Sequence, residues 1–189
     1  MNAGELMLFA AAALERCGIP SMLVGAFSAS YHGIGRSTED ADFVVQVSEL
    51  PVRLLAEELG PDFRIDPQMR LETFTMGEYY AIKRLDSEFV IELFLLKEDP
   101  HSQESFRRRM KVPYGDGEVF LSTAEDLIIT KLRWSQGGRR HKDIDDARTV
   151  LAVQHGKLDM EYIRKWCAAH ATLDVLEATM QSIPPLRSE

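Results

Sequence analysis

The sequence predicts a mixed α/β fold, with a sheet flanked by helices and a C-terminal helical segment. Short apolar runs alternate with helical patterns up to about residue 120, and only helical patterns follow. Of the 189 residues, 45% are hydrophobic and 28% are charged, which is typical of globular proteins. We therefore expect a core over residues 1–120 and a helical segment over residues 121–189 that packs on it.

The first elements follow from apolar periodicity and from glycines that end them. A helix is expected over 4–17, because its apolar residues recur on one face and a glycine follows. A short buried strand over 22–24 ends at Gly25, and one or two helical turns over 27–32 follow. A valine-rich run then predicts a strand over 42–47.

The rest of the core is predicted to contain one long helix, two hairpins and one short helix. Ser48 is a suitable N-cap for a helix that ends at Leu59. An irregular region follows, with a helical turn after Pro67. Strands are expected over 79–85 and 89–96, and they are joined by a turn at Asp86-Ser87. A second hairpin is expected over 112–121, with its turn at Asp116-Gly117. A short helix over 102–110 lies between the two hairpins.

Four helices are expected after residue 121. Ser122 and Glu125 have the spacing of a capping box for a helix that ends near Trp134. The next helix is expected over 142–153. Asp159 and Thr172 are suitable N-caps for the last two helices, which end near Ala169 and before Pro184.

The charge of the chain excludes several partners. It contains 22 Lys and Arg against 30 Asp and Glu, a net charge of −8, and such an acidic chain is not a general nucleic-acid or membrane-surface binder. No secretory leader or uninterrupted apolar stretch of about 18 residues is found, so we expect a cytoplasmic protein without a membrane partner. Cys17 and Cys167 lie outside any CxxC or Cys/His cluster, so free thiols and no zinc site are expected.

The stretch LVGAFSASYHGIGRSTEDADFVV, residues 23–45, carries the strongest chemical pattern. Asp40 and Asp42 point to the same side of a strand and repel each other unless a cation lies between them, and Mg²⁺ suits such carboxylates. Gly25 stands at a strand-to-helix turn, where a phosphate can approach backbone N–H groups. The alternative is that the two aspartates only mark a strand start, where Asp is common.

Glu92 is a candidate third acid, because it interrupts the apolar run FVIELFLL. An unpaired charge in a buried strand costs several kcal/mol, so it needs a cation or a partner. One interpretation is that Glu92 faces the metal ions from a neighbouring strand. The other is that it lies at a sheet edge and pairs with Lys83 or Arg84 across the hairpin.

The order strand, Gly25, short helix, Arg36-x-Thr38-x-Asp40-x-Asp42, strand resembles the nucleotidyltransferase fold of the polymerase-beta-like superfamily. Residues 122–179, beginning STAEDLIITKLRW, resemble bacterial nucleotidyltransferase-like proteins related to abortive-infection toxins of toxin–antitoxin pairs. The resemblance implies that ATP or another nucleoside triphosphate is the substrate and that one or two Mg²⁺ ions take part. It further implies metal-binding and catalytic roles for Asp40, Asp42 and Glu92, and nucleotide contacts from Gly25, Ala26, Arg36, Thr38 and Lys131.

Two functions are compatible with these features. The first is transfer of a nucleoside monophosphate to tRNA, a protein or a small molecule, with release of pyrophosphate. The second is a nucleotide-binding or protein-interaction module that keeps the fold without turnover. Ala26 stands where the family usually has Gly or Ser, and Glu92 where it usually has Asp, and both departures favour the second function. For Arg36, Thr38 and Lys131, the alternatives are a solvated loop arginine, a capping threonine and a solvated lysine.

Overall fold

The chain divides into two compact units. A computed structural model describes residues 1–72, 77–135 and 137–184. Unit 1 comprises Met1–Ser28 and Arg36–Ser122, and unit 2 comprises Ala29–Gly35 and Thr123–Glu189. All described strands belong to unit 1, and the described part of unit 2 is helical. The predicted mixed α/β class is confirmed.

Unit 1 alternates helices and strands in the predicted manner. Its elements in chain order are α1 (Ala3–Arg16), β1 (Ser21–Leu23), α2 (Gly25–His32, which ends in unit 2), β2 (Asp40–Val45), α3 (Val52–Leu59), β3 (Phe63–Ile65), β4 (Arg70–Glu72), β5 (Gly77–Arg84), β6 (Val90–Leu95), α4 (Pro100–Arg108), β7 (Met110–Tyr114) and β8 (Gly117–Leu121).

The eight strands form one mixed sheet in the order β3-β5-β6-β2-β1-β8-β7, and β4 also pairs with β5. Strands β2 and β6 are parallel, as are β1 and β8, and the other pairs are antiparallel. The topology therefore places β1, β2 and β6, which carry the candidate residues or lead to them, side by side in the middle of the sheet.

Helix α1 supplies much of the core that supports the sheet. Asn2 and Glu5 form a capping box, which satisfies two backbone N–H groups at its start. Its apolar face belongs to the same hydrophobic core as the strand residues Phe43 and Leu93, which are fully buried. The middle strands are thereby fixed from one side by close packing.

Some boundaries in unit 1 differ from those predicted. Helix α3 begins at Val52, after Pro51, and not at a cap on Ser48. Leu50 precedes Pro51, and a residue before proline disfavours the helical conformation, so a helix cannot easily run from Ser48 through this point. The hairpin between β7 and β8 turns at Gly115-Asp116, one residue earlier than predicted, and Gly115 takes the positive φ of 53°.

Two strands were missed in the region predicted to be irregular. Strands β3 and β4 have three residues each, which is too short for a period of two to be recognised. Both are held by antiparallel pairing with β5, a contact distant in sequence. The predicted helical turn after Pro67 is wrong, since this segment leads into β4.

The four helices predicted for unit 2 are confirmed as α5 (Ala124–Trp134), α6 (His141–Val153), α7 (Met160–Ala169) and α8 (Leu173–Gln181). The N-cap of α5 is Thr123 rather than Ser122: its hydroxyl accepts from the N–H of Asp126 and donates to the Asp126 carboxylate at 2.7 Å. Tyr162 of α7 donates to the same carboxylate at 2.7 Å. Asp126 therefore ties α7 to the start of α5.

Lys131 forms a buried ion-pair network in unit 2. Its ammonium lies 3.1 Å from Asp143 and 2.8 Å from Asp146, and Arg140 lies 3.1 Å from Asp143. Lys131 and both aspartates are at most 5% exposed. The basic and acidic residues at the start of α6 thus contribute to the interior of unit 2 as well as to its surface.

Each helix in the described part of the chain is too short or too polar to span a lipid bilayer. Cys17 and Cys167 are free thiols, as predicted.

We predict that Lys131→Met lowers the free energy of unfolding by about 3 kcal/mol, because it leaves two buried carboxylates without their main counter-ion. Lys142→Met is the matched control, since Lys142 is exposed on α6 and its loss should change stability by less than about 0.5 kcal/mol. Urea unfolding at pH 7 measures both. Equal effects of the two substitutions would show that the network does not stabilise unit 2.

Candidate functional site

Three predicted acids lie on one face of the sheet. Strands β2 and β6 are parallel, and Asp42 is the direct partner of Glu92. Alternate residues of β2 are fully buried, and Asp40 and Asp42 belong to the half-buried set between them. Glu92 belongs to the corresponding half-buried set of β6. We call Asp40, Asp42 and Glu92 the carboxylate row.

Gly25 lies against the carboxylate row. The N–H of Val24 donates to the carbonyl of Asp42 at 2.8 Å, which brings the end of β1 alongside the row. Gly25 has a φ of +64°, and a Cβ at this position would overlap the Asp42 carboxylate, only 2.8 Å from its Cγ. Only glycine permits both this backbone conformation and this close approach.

Helix α2 begins at Gly25, two residues earlier than predicted. The first N–H groups of a helix have no partner within the helix, and they favour negative charge. The start of α2 therefore places backbone donors that have no partner within the helix beside the Asp42 carboxylate, and this arrangement can hold a phosphate next to a carboxylate-bound cation.

The environment of Glu92 disfavours its charge. Burial raises the pKa of Glu92 to about 7, and repulsion from Asp42, Asp40 and Glu72 adds to this effect. Arg70 opposes the increase. The carboxylate row is therefore close enough for mutual repulsion, and a cation that binds to it would relieve that repulsion.

The alternative interpretation of Glu92 is not supported. Strand β6 lies between β5 and β2, so Glu92 is not at a sheet edge. Arg84 pairs with Asp86 at 3.0 Å, and Lys83 is the register partner of Val90. In β5 the residue opposite Glu92 is Ala81, which offers no charge.

The predicted nucleotide contacts occupy different environments. Thr38 donates its hydroxyl proton to Asp40 at 2.7 Å, which orients that carboxylate. Arg36 is exposed, and its guanidinium donates to the Ser37 carbonyl at 3.4 Å. The side chain of Ala26 is buried. Lys131 forms ion pairs with Asp143 and Asp146 within unit 2. Its predicted contact with the nucleotide stays a prediction.

The donor set of the row suits Mg²⁺, because it consists of carboxylate oxygens without thiolate or imidazole. Among residues 1–72, 77–135 and 137–184, no three His, Cys, Asp or Glu side chains form a group that could hold a metal ion by themselves. Mg²⁺ is commonly bound by one or two carboxylates, with phosphates and water completing its coordination. The row therefore fits a cation that binds together with a phosphate ligand.

Arg70 and Glu72 were missed by the sequence analysis. Both lie on β4, and both act on the charge of Glu92. Arg70 also donates to Asp66 at 2.6 Å. Because β4 is recognisable only through its pairing with β5, no signal within residues 70–72 could have placed them beside the row.

We predict that Gly25→Ala destabilises the protein more than Gly18→Ala. Gly18 has a similar φ of +66° with no atom within 4 Å of an added Cβ, so Gly18→Ala adds about 1 kcal/mol of backbone strain alone. Gly25→Ala has the same backbone strain and also the overlap with the Asp42 carboxylate, which should lower the free energy of unfolding by about 1–3 kcal/mol more. Thermal and urea unfolding compare the two variants. Equal losses of stability would contradict the close approach of Gly25 and Asp42.

No protein-family model matches the chain, and no curated protein is significantly similar to it in sequence. Solved structures with a similar fold are found. An antigenic nucleotidyltransferase-like protein from Paracoccidioides brasiliensis aligns over 95% of this chain and 92% of its own, with a TM-score of 0.54 and 16% identity.

The antibiotic-resistance factor ANT(2″)-Ia is similar in two structures, each 16% identical to this chain. Its solution structure aligns over 94% of this chain and 96% of its own, with a TM-score of 0.56. Its crystal structure with adenylyl-2″-tobramycin aligns over 89% and 96%, with a TM-score of 0.59. The predicted relation to abortive-infection toxins is not tested by these similarities and stays a prediction.

Similarity to solved structures at this level of identity shows the fold alone, and the fold is that of the nucleotidyltransferases.

Proposed function

We propose that the protein is a Mg²⁺-dependent nucleotidyltransferase, which moves a nucleoside monophosphate from ATP or another nucleoside triphosphate to an acceptor. The carboxylate row beside the start of α2 is the observation that carries this proposal. It combines acids for a cation with backbone donors for phosphate on a nucleotidyltransferase fold.

Each part of the site has a distinct task in the proposed reaction. Asp40 and Asp42 would hold Mg²⁺, which neutralises charge on the phosphates when bound. Thr38 fixes the orientation of Asp40 through its hydrogen bond. The first N–H groups of α2 would bind oxygens of the triphosphate.

Glu92 is the candidate base. Its carboxylate lies opposite Asp42 in the parallel pair of β2 and β6, beside the proposed cation site, where it can accept a proton from a bound acceptor. In the proposed step the acceptor hydroxyl loses its proton to Glu92 as its oxygen attacks the α-phosphorus. The bond from that phosphorus to the bridging oxygen breaks, and pyrophosphate leaves with the bonding electrons.

The distribution of charge favours a cationic acceptor. Unit 1 has 12 Lys and Arg against 20 Asp and Glu, whereas unit 2 has 10 of each. The net charge of −8 therefore belongs entirely to the unit that carries the row. Such a field attracts amine-bearing small molecules or basic protein surfaces and repels nucleic acid. The similar structure of ANT(2″)-Ia is a complex with adenylyl-2″-tobramycin, which supports the choice of a small-molecule acceptor.

The second candidate function is a module that binds a nucleotide, or a protein partner, without turnover. It is favoured by Gly25-Ala26, since Ala26 brings no hydroxyl to the turn, and by Glu92 in place of the usual Asp. An assay of pyrophosphate release distinguishes the two functions. It is run with Mg²⁺ and each nucleoside triphosphate, and with amine-bearing small molecules, basic proteins or tRNA as acceptors. Release that requires Asp42 supports the enzyme, and nucleotide binding without release under every condition supports the module.

We predict that Asp42→Asn removes the stabilisation that Mg²⁺ and a non-hydrolysable ATP analogue give to the wild-type protein. A ligand that binds only the folded state at a hundredfold excess over its Kd adds about 2.7 kcal/mol. The substitution should also raise the stability of the metal-free protein slightly, because it removes one of the repelling charges. Melting temperatures with and without the two ligands measure both effects.

Asp116→Asn is the control for this experiment. It removes the same charge from an exposed position in the β7–β8 turn of unit 1. It should leave the ligand-dependent shift of the melting temperature unchanged. A shift that persists in Asp42→Asn would place nucleotide binding elsewhere in the chain.

We predict that Glu92→Gln stabilises the metal-free protein increasingly as pH rises from about 4.5 to about 7. Glu92 has a raised pKa in the folded state, so the folded state binds its proton more tightly, and stability falls as that proton leaves. The gain in the free energy of unfolding should be near zero at pH 4 and constant above pH 8. Its size is on the order of 1 kcal/mol after solvent screening is allowed for.

Urea unfolding from pH 4 to pH 8 measures this gain, with Glu78→Gln as the control. Glu78 is an exposed glutamate on the neighbouring strand β5, so its substitution should show no such dependence on pH. A gain that is independent of pH for Glu92→Gln would contradict the raised pKa.

A further inference from the structure

We propose that Ser28 and Ser122 form a positioning pair that fixes the start of α2 for phosphate binding, an inference that rests on the proposed function. Their hydroxyl oxygens lie 2.8 Å apart. Both residues belong to unit 1, and Ser28 is 0% and Ser122 3% exposed.

The pair connects the start of α2 to the end of β8. Ser28 lies in the first turn of α2, three residues after Gly25. Ser122 directly follows β8, and its N–H donates to the carbonyl of Leu23 in β1 at 3.4 Å. The hydroxyl contact therefore spans from the helix to the strand that runs parallel to β1.

The turn at Gly25 is consequently held from both neighbours of β1. On the β2 side, Val24 donates to the Asp42 carbonyl at 2.8 Å. On the β8 side, the pair of serines makes the connection. The first of these contacts fixes the turn beside the carboxylate row, and the second fixes the direction in which α2 leaves it.

One backbone hydrogen bond at the start of α2 is long. The N–H of Ser28 lies 3.5 Å from the Val24 carbonyl oxygen, beyond the usual range of 2.7–3.2 Å for such bonds. The side chain of Ser28 makes the shorter contact. The hydroxyl pair therefore adds to this long bond in keeping the N–H groups of residues 25–27 aligned.

Ser28 acts through the turn and does not contact the phosphate. Its side chain has no exposed surface, and its hydroxyl is engaged with Ser122. Loss of the pair would leave the donors present but less ordered, so the binding of the triphosphate would weaken. The carboxylate row would be unchanged.

The test uses Ser28→Ala, Ser122→Ala and the double variant in the full chain. Ser105→Ala is the matched control, because Ser105 is also buried in unit 1 but belongs to α4. Calorimetry with Mg²⁺ and a non-hydrolysable ATP analogue measures affinity, and unfolding measures stability. Hydrogen exchange without ligand measures the protection of amides 28–32, which are the first amides of α2 with helical acceptors. Wild type and Asp42→Asn test the proposed function in parallel.

We expect about three- to tenfold weaker binding of the analogue in each single variant, the range for one lost neutral hydrogen bond. The effect of the double variant should be smaller than the two single effects combined, because each single substitution already removes the contact between Ser28 and Ser122. Exchange of amides 28–32 should be faster in these variants and unchanged in Ser105→Ala. If turnover is detected, KM for the nucleotide should rise while kcat changes less than twofold.

Several results would overturn the inference. Wild-type affinity in Ser28→Ala, or equal exchange in Ser28→Ala and Ser105→Ala, would show that the pair does not position the turn. Lower stability with unchanged affinity would make the pair merely structural. No binding of the analogue to the wild-type protein would overturn the proposed function and this inference together, and binding that persists in Asp42→Asn would overturn the proposed function alone.

Discussion

The close approach of the Gly25 turn to the Asp42 carboxylate is the constraint on which the rest of the candidate site depends. It requires a residue without a Cβ at a positive φ, and it requires β1 and β2 to be adjacent and paired as far as Val24. Parallel pairing of β2 with β6 then fixes Glu92 opposite Asp42. A polar, self-repelling face in the middle of a sheet is stable only because the opposite face is tightly packed.

The local sequence is enough to predict most helices and strands and to place part of the candidate site. Glycines, caps and apolar periods locate α1, β6 and the helices of unit 2, since these signals act within a few residues. The spacing of Asp40 and Asp42 places both carboxylates on one face, because that follows from the period of a strand alone. The resemblance through Arg36, Thr38 and the two aspartates indicates the same fold that the solved structures show.

Contacts between distant residues set the limits of prediction. Arg70 and Glu72 come near Glu92 only because β4 pairs with β5, and a three-residue strand has no signal of its own. The burial of Lys131 against Asp143 and Asp146 depends on how α5 meets α6, whereas its sequence context is that of an exposed lysine. The contact between Ser28 and Ser122 joins residues 94 positions apart.

The division of charge between the units also has a consequence for colloidal behaviour. Unit 2 carries equal numbers of basic and acidic residues, so at neutral pH it stands close to its own isoelectric point. Proteins in that state lack the mutual repulsion that opposes precipitation. Unit 1 provides this repulsion for the whole chain, much as an acidic fusion partner does. Acidification towards the chain's isoelectric point of 5.2 brings the net charge of the whole chain to zero, and the repulsion between molecules is then lost.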